Sequence, residues 1–240
     1  MTQLFISDLH LSPGRPEILR LFLEFLLGPA HKAQALYILG DLFEYWVGDD
    51  DLDSPFNRRI AAALAANAAR GVAQYFIHGN RDFLIASAFA DRARLSLLPD
   101  PCVFDLYGVS TVLLHGDTLC TDDVEYQAFR AKVRTPAWRD AFLARPLEQR
   151  RAEIERLRAA SEAEKAVKPA RIMDVNEDAV RQALADTRAV RMIHGHTHRP
   201  GWHDYVMHGQ PRKRWVLPAW DQHAGYLRVD QGGSQLIQID

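Results

Sequence analysis

A pair of histidines separated by one residue follows a short apolar run late in the sequence. His196 and His198 lie within the segment 193–200, directly after the strand-like run 190–193. Residues two apart in an extended strand point to the same side, so both imidazoles would face one ligand. Gly195 beside them lets a ligand or another backbone approach closely. On its own such a pair is more often part of a surface turn than of a metal site, so its meaning depends on the rest of the sequence.

Other strand-like segments also end in residue types that bind metal ions. Apolar runs at 4–6, 35–39, 74–77 and 110–114 each precede at least one such residue. In an α/β sheet the loops at the carboxyl ends of the strands converge on one crevice, so we expect these residues to lie together. The predicted ligands are Asp8, His10, Asp41, Asn80, His115, His196 and His198.

Seven oxygen and imidazole ligands exceed what one ion needs, and two ions that share a carboxylate fit the number better. Asp41 is the predicted bridge, because it is central in the set and a carboxylate can use both of its oxygens. The lack of sulfur favours Mn²⁺, Mg²⁺, Fe²⁺ or Zn²⁺ in high coordination over a structural zinc ion. Two such ions about 4 Å apart turn a bridging water into hydroxide and hold phosphoryl oxygens. The predicted reaction is hydrolysis of a phosphate ester or anhydride.

Several other polar residues are interpreted as having no ligand role. His31, His78 and His194 are expected to be structural residues. The acidic cluster at 49–53 lies in a predicted loop, and we expect its carboxylates to be solvated.

The order of the predicted elements indicates an α/β fold. Strands alternate with helices at 17–27 and 55–70 in the first part of the sequence, and later strands pair as hairpins. This order favours a four-layer α/β/β/α sandwich over a simple doubly wound sheet. A further helix is expected at 176–186. The tail is predicted to contain strands at 214–217, 225–229 and 236–239.

The stretch 123–171 has helical patterns and no strand signals. Between Arg130 and Arg171 there are 12 Lys and Arg residues against 6 Asp and Glu, a charge of +6, whereas the remaining 17 basic and 25 acidic residues give −8. Solvated helices account for many of these charges, and the asymmetry also suits a basic cover over an anionic ligand. We therefore predict a core formed by 1–122 and 172–240. The helical cap at 123–171 is an insertion and not an independent domain.

The overall composition excludes several classes of protein. A net charge of −2 argues against binding to nucleic acid through bulk electrostatics. The two cysteines, Cys102 and Cys120, supply neither a disulfide framework nor a thiolate zinc site, and they fit a reducing cytoplasm. The first residues lack the basic and apolar regions of a signal peptide, and no apolar stretch is long enough to span a bilayer. We expect a protein that is soluble or rests on a membrane surface, with no obligate protein partner.

The blocks at the strand ends resemble those of the calcineurin-like metallophosphoesterase superfamily. They are Asp8-x-His10, Gly40-Asp41, Gly79-Asn80, His115-Gly116 and Gly195-His196-Thr197-His198. The resemblance implies two metal sites that share one aspartate. The first would be formed by Asp8, His10, Asp41 and His198, and the second by Asp41, Asn80, His115 and His196.

Arg81 departs from the pattern of that superfamily, in which many members have a histidine after the asparagine to protonate a leaving group. Arginine stays protonated near neutral pH, so Arg81 cannot act as a general acid, although its planar fork can grip phosphate. A phosphate that leaves from a pyrophosphate is already a stable anion and needs no such acid, whereas an alkoxide does. Arg81 therefore favours a pyrophosphatase over a phosphomonoesterase. The alternative is a salt bridge between Arg81 and Asp82.

Longer motifs resemble the UDP-2,3-diacylglucosamine diphosphatases within that superfamily, over nearly the whole chain. The matching stretches are 36–50, 78–84, 115–123, 126–130, 172–176 and 193–200. The resemblance implies cleavage of the pyrophosphate of a lipid substrate, UDP-2,3-diacylglucosamine, to UMP and 2,3-diacylglucosamine 1-phosphate in lipid A synthesis. It also implies two divalent ions, with Mn²⁺ expected, and a peripheral position at the cytoplasmic face of the inner membrane.

The same resemblance assigns roles to individual residues. It implies catalytic roles for Asp41, Asn80, Arg81, His115 and His196. It implies substrate contacts from Asn80, Arg81, Asp123, Ser161, Lys165, Lys168 and His196. Pro218 stands where the family pattern has glycine, which should alter a strand turn and not the metals.

The cap would cover the site and receive acyl chains in such a protein. Its apolar residues, from Trp138 to Leu157, recur with helical spacing and are expected mainly to pack the cap helices together. A basic, partly apolar lid also suits contact with an anionic membrane surface.

Two other functions remain open from the sequence. One is hydrolysis of a different substrate on the same fold, such as a cyclic nucleotide or a dinucleoside polyphosphate, against which the insertion and Arg81 speak. The other is a metal-binding or protein-interaction module without activity, against which the complete ligand set speaks.

Overall fold

The computed structural model describes residues 2–167, 172–221 and 224–239, without the side chains of residues 160–167. Within these ranges the backbone forms eleven strands in two sheets and seven α-helices. The strands are β1 (Gln3–Ile6), β2 (Ala35–Leu39), β3 (Ala73–Ile77), β4 (Ser96–Leu97), β5 (Cys102–Leu106), β6 (Val109–Leu113), β7 (Arg191–His194), β8 (Gly201–Met207), β9 (Gln210–Val216), β10 (Ala224–Asp230) and β11 (Gly233–Ile239). The helices are α1 (Pro16–Leu27), α2 (Pro55–Ala68), α3 (Ser87–Ala93), α4 (Val124–Val133), α5 (Pro136–Leu143), α6 (Leu147–Val167) and α7 (Glu177–Thr187).

Both sheets have parallel strands at their centre. The first sheet has the order β11-β10-β1-β2-β3-β4, in which β1 to β4 are parallel and β10 is antiparallel to both of its neighbours. The second has the order β5-β6-β7-β9-β8, in which β6, β7 and β9 are parallel and the edge strands are antiparallel to them. The loops that follow the parallel strands carry the predicted ligands.

Three apolar clusters define the layers. Side chains of β1 alternate, so that Phe5 faces the second sheet whereas Leu4 and Ile6 face α1 to α3. The cluster between the sheets joins Phe5 to Leu113 and Ile193 of the second sheet. On the far side of that sheet, apolar residues of β6 and β7 pack against α7. The resulting order of helix, sheet, sheet and helix confirms the predicted α/β sandwich.

The hairpin and most other predicted elements are present, whereas strands β4 and β8 and helix α3 were not predicted; β4 has only two residues. Tyr107 and Gly108 both have positive φ, which a two-residue hairpin turn between β5 and β6 requires. Strand β8 was not predicted, because only Tyr205 among its residues is buried and the apolar alternation of a half-buried strand is weak. Helix α3 was also missed, since its seven residues are too few to show a helical period.

Helices α4 to α6 follow one another with short connections. The Oδ1 atom of Asp123 accepts a hydrogen bond from the backbone N–H of Tyr126 at 3.1 Å and so caps α4. Thr135 caps α5 in the same way. Phe142 of α5 is buried in the cluster under α1 to α3, and the ring of Trp138 stacks on it at 4.8 Å. The apolar side chains of α5 therefore pack against the core of the molecule, whereas their spacing was expected mainly to pack the cap helices together.

Candidate metal centre

The seven predicted ligands lie at the carboxyl ends of five strands. Asp8 and His10 follow β1, Asp41 follows β2, Asn80 follows β3, His115 follows β6, and His196 and His198 follow β7. These strands belong to the parallel centres of the two sheets, and their loops meet in one crevice.

Asp8, His10 and His198 form the first group of candidate ligands, with donor atoms all within 4.8 Å of one another. The Nε2 atom of His198 lies 3.6 Å from Oδ1 of Asp8 and 3.4 Å from Nε2 of His10. Oδ1 of Asp8 is buried and has no hydrogen-bond partner among the described residues. Its lone pairs therefore point into this group without a donor.

Asp8, Asp41 and His115 form a second group within the same distance limit. The Nε2 atom of His115 lies 3.0 Å from Oδ1 of Asn80 and 3.8 Å from Oδ1 of Asp41. The other ring nitrogen of His115 donates to the carbonyl of Leu39 at 2.8 Å. This bond fixes the ring and turns Nε2 toward the crevice.

The carboxylate of Asp41 lies between the two groups. Its Oδ2 is 3.9 Å from Nε2 of His10, and its Oδ1 faces His115. His196 joins the set through its backbone N–H, which donates to Oδ2 of Asp8 at 2.8 Å, and its ring centroid lies 5.0 Å from that of His115. The structure therefore brings all seven predicted residues together.

Five of the seven residues have a left-handed backbone, which the sequence did not indicate. Their φ values are 56° for Asp8, 50° for His10, 53° for Asp41, 67° for His196 and 55° for His198. Each such residue costs about 1–3 kcal/mol unless its surroundings hold it there. Backbone hydrogen bonds supply part of this support, from the N–H of Asp8 to Gly40 and from that of His10 to Asp41. The prediction that the histidine pair alternates along an extended strand is therefore wrong, because the ligands converge through tight turns.

Two glycines allow the ligand loops to approach one another. A Cβ atom on Gly79 would lie 2.1 Å from Oδ1 of Asp41. A Cβ atom on Gly195 would lie 2.1 Å from the hydroxyl of Ser7 and 2.2 Å from Oδ2 of Asp8. Any side chain at either position would displace a carboxylate of the crevice.

Asp82 and Trp220 support these loops, although the sequence analysis gave neither residue that role. Oδ1 of Asp82 accepts from the N–H of Gly79 at 2.9 Å, and Oδ2 accepts from the N–H of Leu42 at 2.7 Å. The N–H of Trp220 donates to the carbonyl of Asp8 at 3.0 Å. An aspartate inside a ligand motif was the available signal for Asp82, whereas Trp220 gives no local signal.

Glu44 is a further residue that the sequence analysis missed. Its Oε1 lies 3.7 Å from the guanidinium of Arg81 and 2.7 Å from that of Arg158 in α6, and its Oε2 lies 3.8 Å from Nδ1 of His10. The structure thus pairs Arg81 with Glu44, while Asp82 is engaged by backbone amides. Glu44 links a candidate ligand, the predicted phosphate-binding arginine and α6.

The electrostatics of the crevice favour proton sharing when no cation is bound. Burial raises the pKa of Asp41 to about 7, against the opposing effect of His115. Burial alone would lower the pKa of His115, but the carboxylates of Asp41 and Asp8 outweigh it and raise that pKa to about 9. Burial also opposes ionisation of Asp8, yet the close imidazole of His198 and the charges of His115 and His10 hold its pKa well below the usual range.

His194 and His196 behave differently from His115. Burial, followed by the nearby charges of Arg214 and His115 respectively, lowers the pKa of each to about 3. His194 lies with Nδ1 2.8 Å from the carbonyl of Gly195 and Nε2 3.2 Å from Arg214. Both of its nitrogens are engaged by the protein, which fits the structural role expected for it. His78, with Nε2 2.8 Å from the carbonyl of Ile85, is engaged similarly.

Helix α4 lies against the other side of the crevice. The hydroxyl of Tyr126 and Nε of Arg130 both donate to Oδ2 of the buried Asp117 at 2.7 Å. The ring of Tyr126 stacks at 6.0 Å from that of His196. Arg134 donates to the carbonyl of Gly79 at 2.8 Å. These contacts attach α4 to the loops that carry the candidate ligands.

The predicted substrate contacts are only partly visible. Arg81 lies at the crevice, and Asp123 lies at the start of α4, where its carboxylate caps the helix. The side chains of Ser161 and Lys165 and the whole of Lys168 lie outside the described residues.

The acidic cluster that was expected to be solvated is in part paired with α6, whereas Asp53 is exposed as expected. Asp50 forms a two-pronged ion pair with Arg150, whose guanidinium also donates to the carbonyl of Val47. Asp51 pairs with Arg151 in the next position. The expectation missed these pairs because part of the loop lies under a basic helix that is distant in sequence.

The donor set fits divalent metal ions. It consists of carboxylate, amide and imidazole groups, which suit Mg²⁺, Mn²⁺, Fe²⁺ or Zn²⁺. The buried Oδ1 of Asp8 has no hydrogen-bond partner among the described residues, and Nε2 of His115 lies close to Oδ1 of Asn80. A cation could bind the lone pairs of these atoms. Within the described ranges, no helix is both long enough and apolar enough to cross a membrane.

Comparison with known proteins agrees with this geometry. The sequence model of the calcineurin-like phosphoesterase family matches residues 1–200. A relative from Aromatoleum aromaticum is 54% identical over 97% of this chain and 95% of its own length. Relatives from Enterobacter sp. (strain 638) and Escherichia fergusonii are 50% and 49% identical over 100% of this chain and 99% of theirs. All three are named UDP-2,3-diacylglucosamine hydrolase.

Proposed function

Since this chain belongs to the calcineurin-like phosphoesterase family, we propose that it hydrolyses the pyrophosphate bond of UDP-2,3-diacylglucosamine to UMP and 2,3-diacylglucosamine 1-phosphate in lipid A synthesis. The observation that carries the chemistry is the position of Asp41, whose two carboxylate oxygens face different histidines. The choice of substrate is supported by 49–54% sequence identity, over nearly the full length, to relatives named UDP-2,3-diacylglucosamine hydrolase.

The crevice would hold two divalent ions, with Mn²⁺ as the natural metal. Asp8, His10, Asp41 and His198 would bind one ion, and Asp41, Asn80, His115 and His196 would bind the other. Bound ions of this kind activate water as a nucleophile near neutral pH and neutralise charge on phosphoryl oxygens.

The chain's own residues would orient these groups and the substrate. The bond from His115 to the carbonyl of Leu39 keeps Nε2 directed at the crevice, and Asn80 presents its amide oxygen beside it. The largely buried guanidinium of Arg81 lies next to Glu44, within the same crevice. Arg81 would hold phosphoryl oxygens through its planar fork. A phosphate leaving group requires no general acid, which suits an arginine at this position.

Helices α4 to α6 would form the cap of a core made from 1–122 and 172–240. Substrate contacts would come from Asp123, Ser161, Lys165 and Lys168 in addition to residues of the crevice. The excess of basic residues in 130–171 supports a cover for an anionic, lipid-bearing substrate. The protein would act at the cytoplasmic face of the inner membrane as a peripheral protein.

The direct test is hydrolysis of UDP-2,3-diacylglucosamine by metal-stripped protein, with and without added Mn²⁺, in ¹⁸O-labelled water. Metal-dependent release of UMP is the expected result, and the position of the label identifies the phosphorus that water attacks. A parallel panel should include a cyclic nucleotide and a dinucleoside polyphosphate. Release from those compounds alone, or no release from any compound by metal-loaded protein, would contradict the proposal.

A further inference from the structure

The inner face of β8 projects beyond the first sheet. Tyr205 packs against α7 on the outer face of the second sheet. Side chains alternate along a strand, and Trp202 and Val206 are three residues and one residue away from Tyr205, so both point to the inner face. Trp202 is 58% exposed and Val206 is 71% exposed. The ring of Trp202 lies 5.7 Å from that of Trp215, which belongs to the cluster between the sheets. The described residues therefore leave an apolar extension of the interior face uncovered.

This uncovered face borders a groove, which we call the β8 groove. It has a volume of about 750 Å³ and lies between β8 and β9 on one side and the turn from β10 to β11 on the other. Its lining includes Val190, Arg191, Trp202, Arg212, Lys213 and Trp215. A second cavity of about 340 Å³ shares Leu236 with the groove and reaches the candidate ligand His198.

The charge of the β8 groove is positive. Arg191 is only 8% exposed, and its guanidinium donates to the hydroxyls of Thr111 and Ser234 and to the carbonyl of Leu106 at 3.0–3.2 Å. All of these acceptors are neutral, and the acidic residue that acts on Arg191 is Asp105, which does not line the groove.

Among the other lining residues, Arg212 and Lys213 are cationic and Asp204 is the acidic one. The Nζ atom of Lys213 lies 3.2 Å from Asp204 and 5.7 Å from the ring of Trp215. Three basic residues and one acidic residue therefore lie beside two tryptophans.

We propose that the β8 groove and the face of Trp202 and Val206 dock on an anionic phospholipid bilayer. Tryptophan is favoured at the boundary between hydrocarbon and water, and cationic residues beside an apolar face bind anionic headgroups. A second copy of this chain fits the face less well, because a two-fold interface would bring the same basic residues together. The docking surface lies on a different element from the cap, which was expected to contact the membrane.

This inference refines the peripheral location proposed above and rests on it in part. Binding to vesicles is measured without substrate or metal, so its failure would leave the proposed hydrolysis untouched.

The test is co-sedimentation of the full chain with phosphatidylcholine vesicles, with and without phosphatidylglycerol. We expect binding that requires phosphatidylglycerol. The double variant Arg212→Glu/Lys213→Glu should lower the partition coefficient at least about 25-fold, since each lost cation changes it about fivefold. The double variant Trp202→Ser/Val206→Ser should lower it about tenfold. Matched controls are Arg58→Glu/Arg59→Glu on α2 and Leu27→Ser on α1, which change exposed residues elsewhere and should bind normally.

Three results would overturn the proposal. The first is absence of binding to phosphatidylglycerol vesicles, and the second is equal binding by the groove variants and the controls. The third is a wild-type dimer in sedimentation equilibrium that Trp202→Ser converts to a monomer, which would assign the face to a second copy. Circular dichroism and thermal unfolding of each variant show whether lost binding reflects lost folding.

Discussion

At the scale of single residues, the carboxylate of Asp41 is the point where two groups of candidate ligands meet. One oxygen lies 3.8 Å from His115 and the other 3.9 Å from His10. A change at Asp41 therefore affects both groups, whereas a change at His10 affects one of them. Both groups would have to be complete if the two ions act together.

Replacement of Asp41 or His10 by alanine is expected to lower turnover by at least ~10³-fold, because each variant disrupts the metal pair that would provide the nucleophile. The measurement is kcat at saturating Mn²⁺ on folded protein. Asp53→Ala and His31→Ala are matched controls, since both side chains are exposed, and they should retain activity. Near-normal turnover by Asp41→Ala or His10→Ala would contradict the assignment of the ligands.

Substitution of Gly195 by alanine tests the close approach of the loops. The new Cβ would lie about 2 Å from Ser7 and Asp8, so one loop must move. Overpacking of this kind costs about 1–3 kcal/mol, which corresponds to a fall in Tm of about 2–10 °C. Metal content after dialysis should fall as well. Gly201→Ala is the control, because its Cβ would meet nothing within 4 Å, and equal effects of the two variants would refute the argument.

At the scale of elements, α6 is attached to the loop that follows β2. Arg150 is 2% exposed and pairs with Asp50, Arg151 pairs with Asp51, and Arg158 pairs with Glu44. Three arginines of one helix thus contact three acidic residues of one loop. The position of α6 over the crevice depends on these ion pairs.

The variant Arg150→Met keeps the apolar stem of the side chain and removes its charge and donors. Loss of the buried guanidinium leaves the carbonyl of Val47 without its donor and costs about 1–3 kcal/mol, so amide hydrogen exchange in α6 should accelerate about 10- to 100-fold. Arg156→Met changes an exposed arginine of the same helix and should leave exchange unchanged. Unchanged exchange in Arg150→Met would show that this ion pair does not hold α6.

The sequence was sufficient to predict most elements and all seven candidate ligands that the structure brings together, because buried strands give apolar runs and ligand types stand directly after them. The conformation of the ligand loops was not predictable in this way. Left-handed backbone at Asp8, His10 and Asp41 depends on hydrogen bonds between loops of different strands. The position of α6 was not predictable either, because residues 50 and 150 are brought together only by the tertiary fold.

At the scale of the whole molecule, the crevice joins the two sheets. His115 of the second sheet donates to Leu39 of the first, and the N–H of His196 donates to Asp8 across the same boundary. Candidate ligands from both sheets therefore depend on correct packing of one sheet against the other. This coupling makes the protonation of the crevice a contribution to the stability of the fold.

The stability of the metal-free protein should depend on pH above neutrality. The folded pKa of His115, about 9, lies above its ordinary value of 6.5, so its contribution is complete below pH 6.5 and is lost as pH rises toward 9. The raised pKa of Asp41 stabilises the fold at low pH, and this contribution is lost between pH 3.8 and about 7. The lowered pKa values of His194 and His196 change the stability of the fold only below pH 6.5. Between pH 7 and 9 the effect of His115 is therefore the main one within the crevice.

The measurement is Tm of chelator-treated protein between pH 7 and 9, where Tm should fall as pH rises. His115→Gln should flatten this dependence, and saturating Mn²⁺ should also flatten it, because a bound ion replaces the proton. A steady or rising Tm in the metal-free wild-type protein would contradict the assigned protonation of His115.

The position of β1 between β2 and β10 also determines when the crevice can be completed during synthesis. The loop after β1 carries Asp8 and His10, but β1 gains its second neighbour only when the ribosome has made Ala224–Asp230. A chain arrested after β9 would contain all seven candidate ligands and is expected to bind Mn²⁺ more weakly than the full chain. Metal would therefore enter after translation has passed the last ligand by some thirty residues, which leaves the nascent protein inactive until β10 has been made.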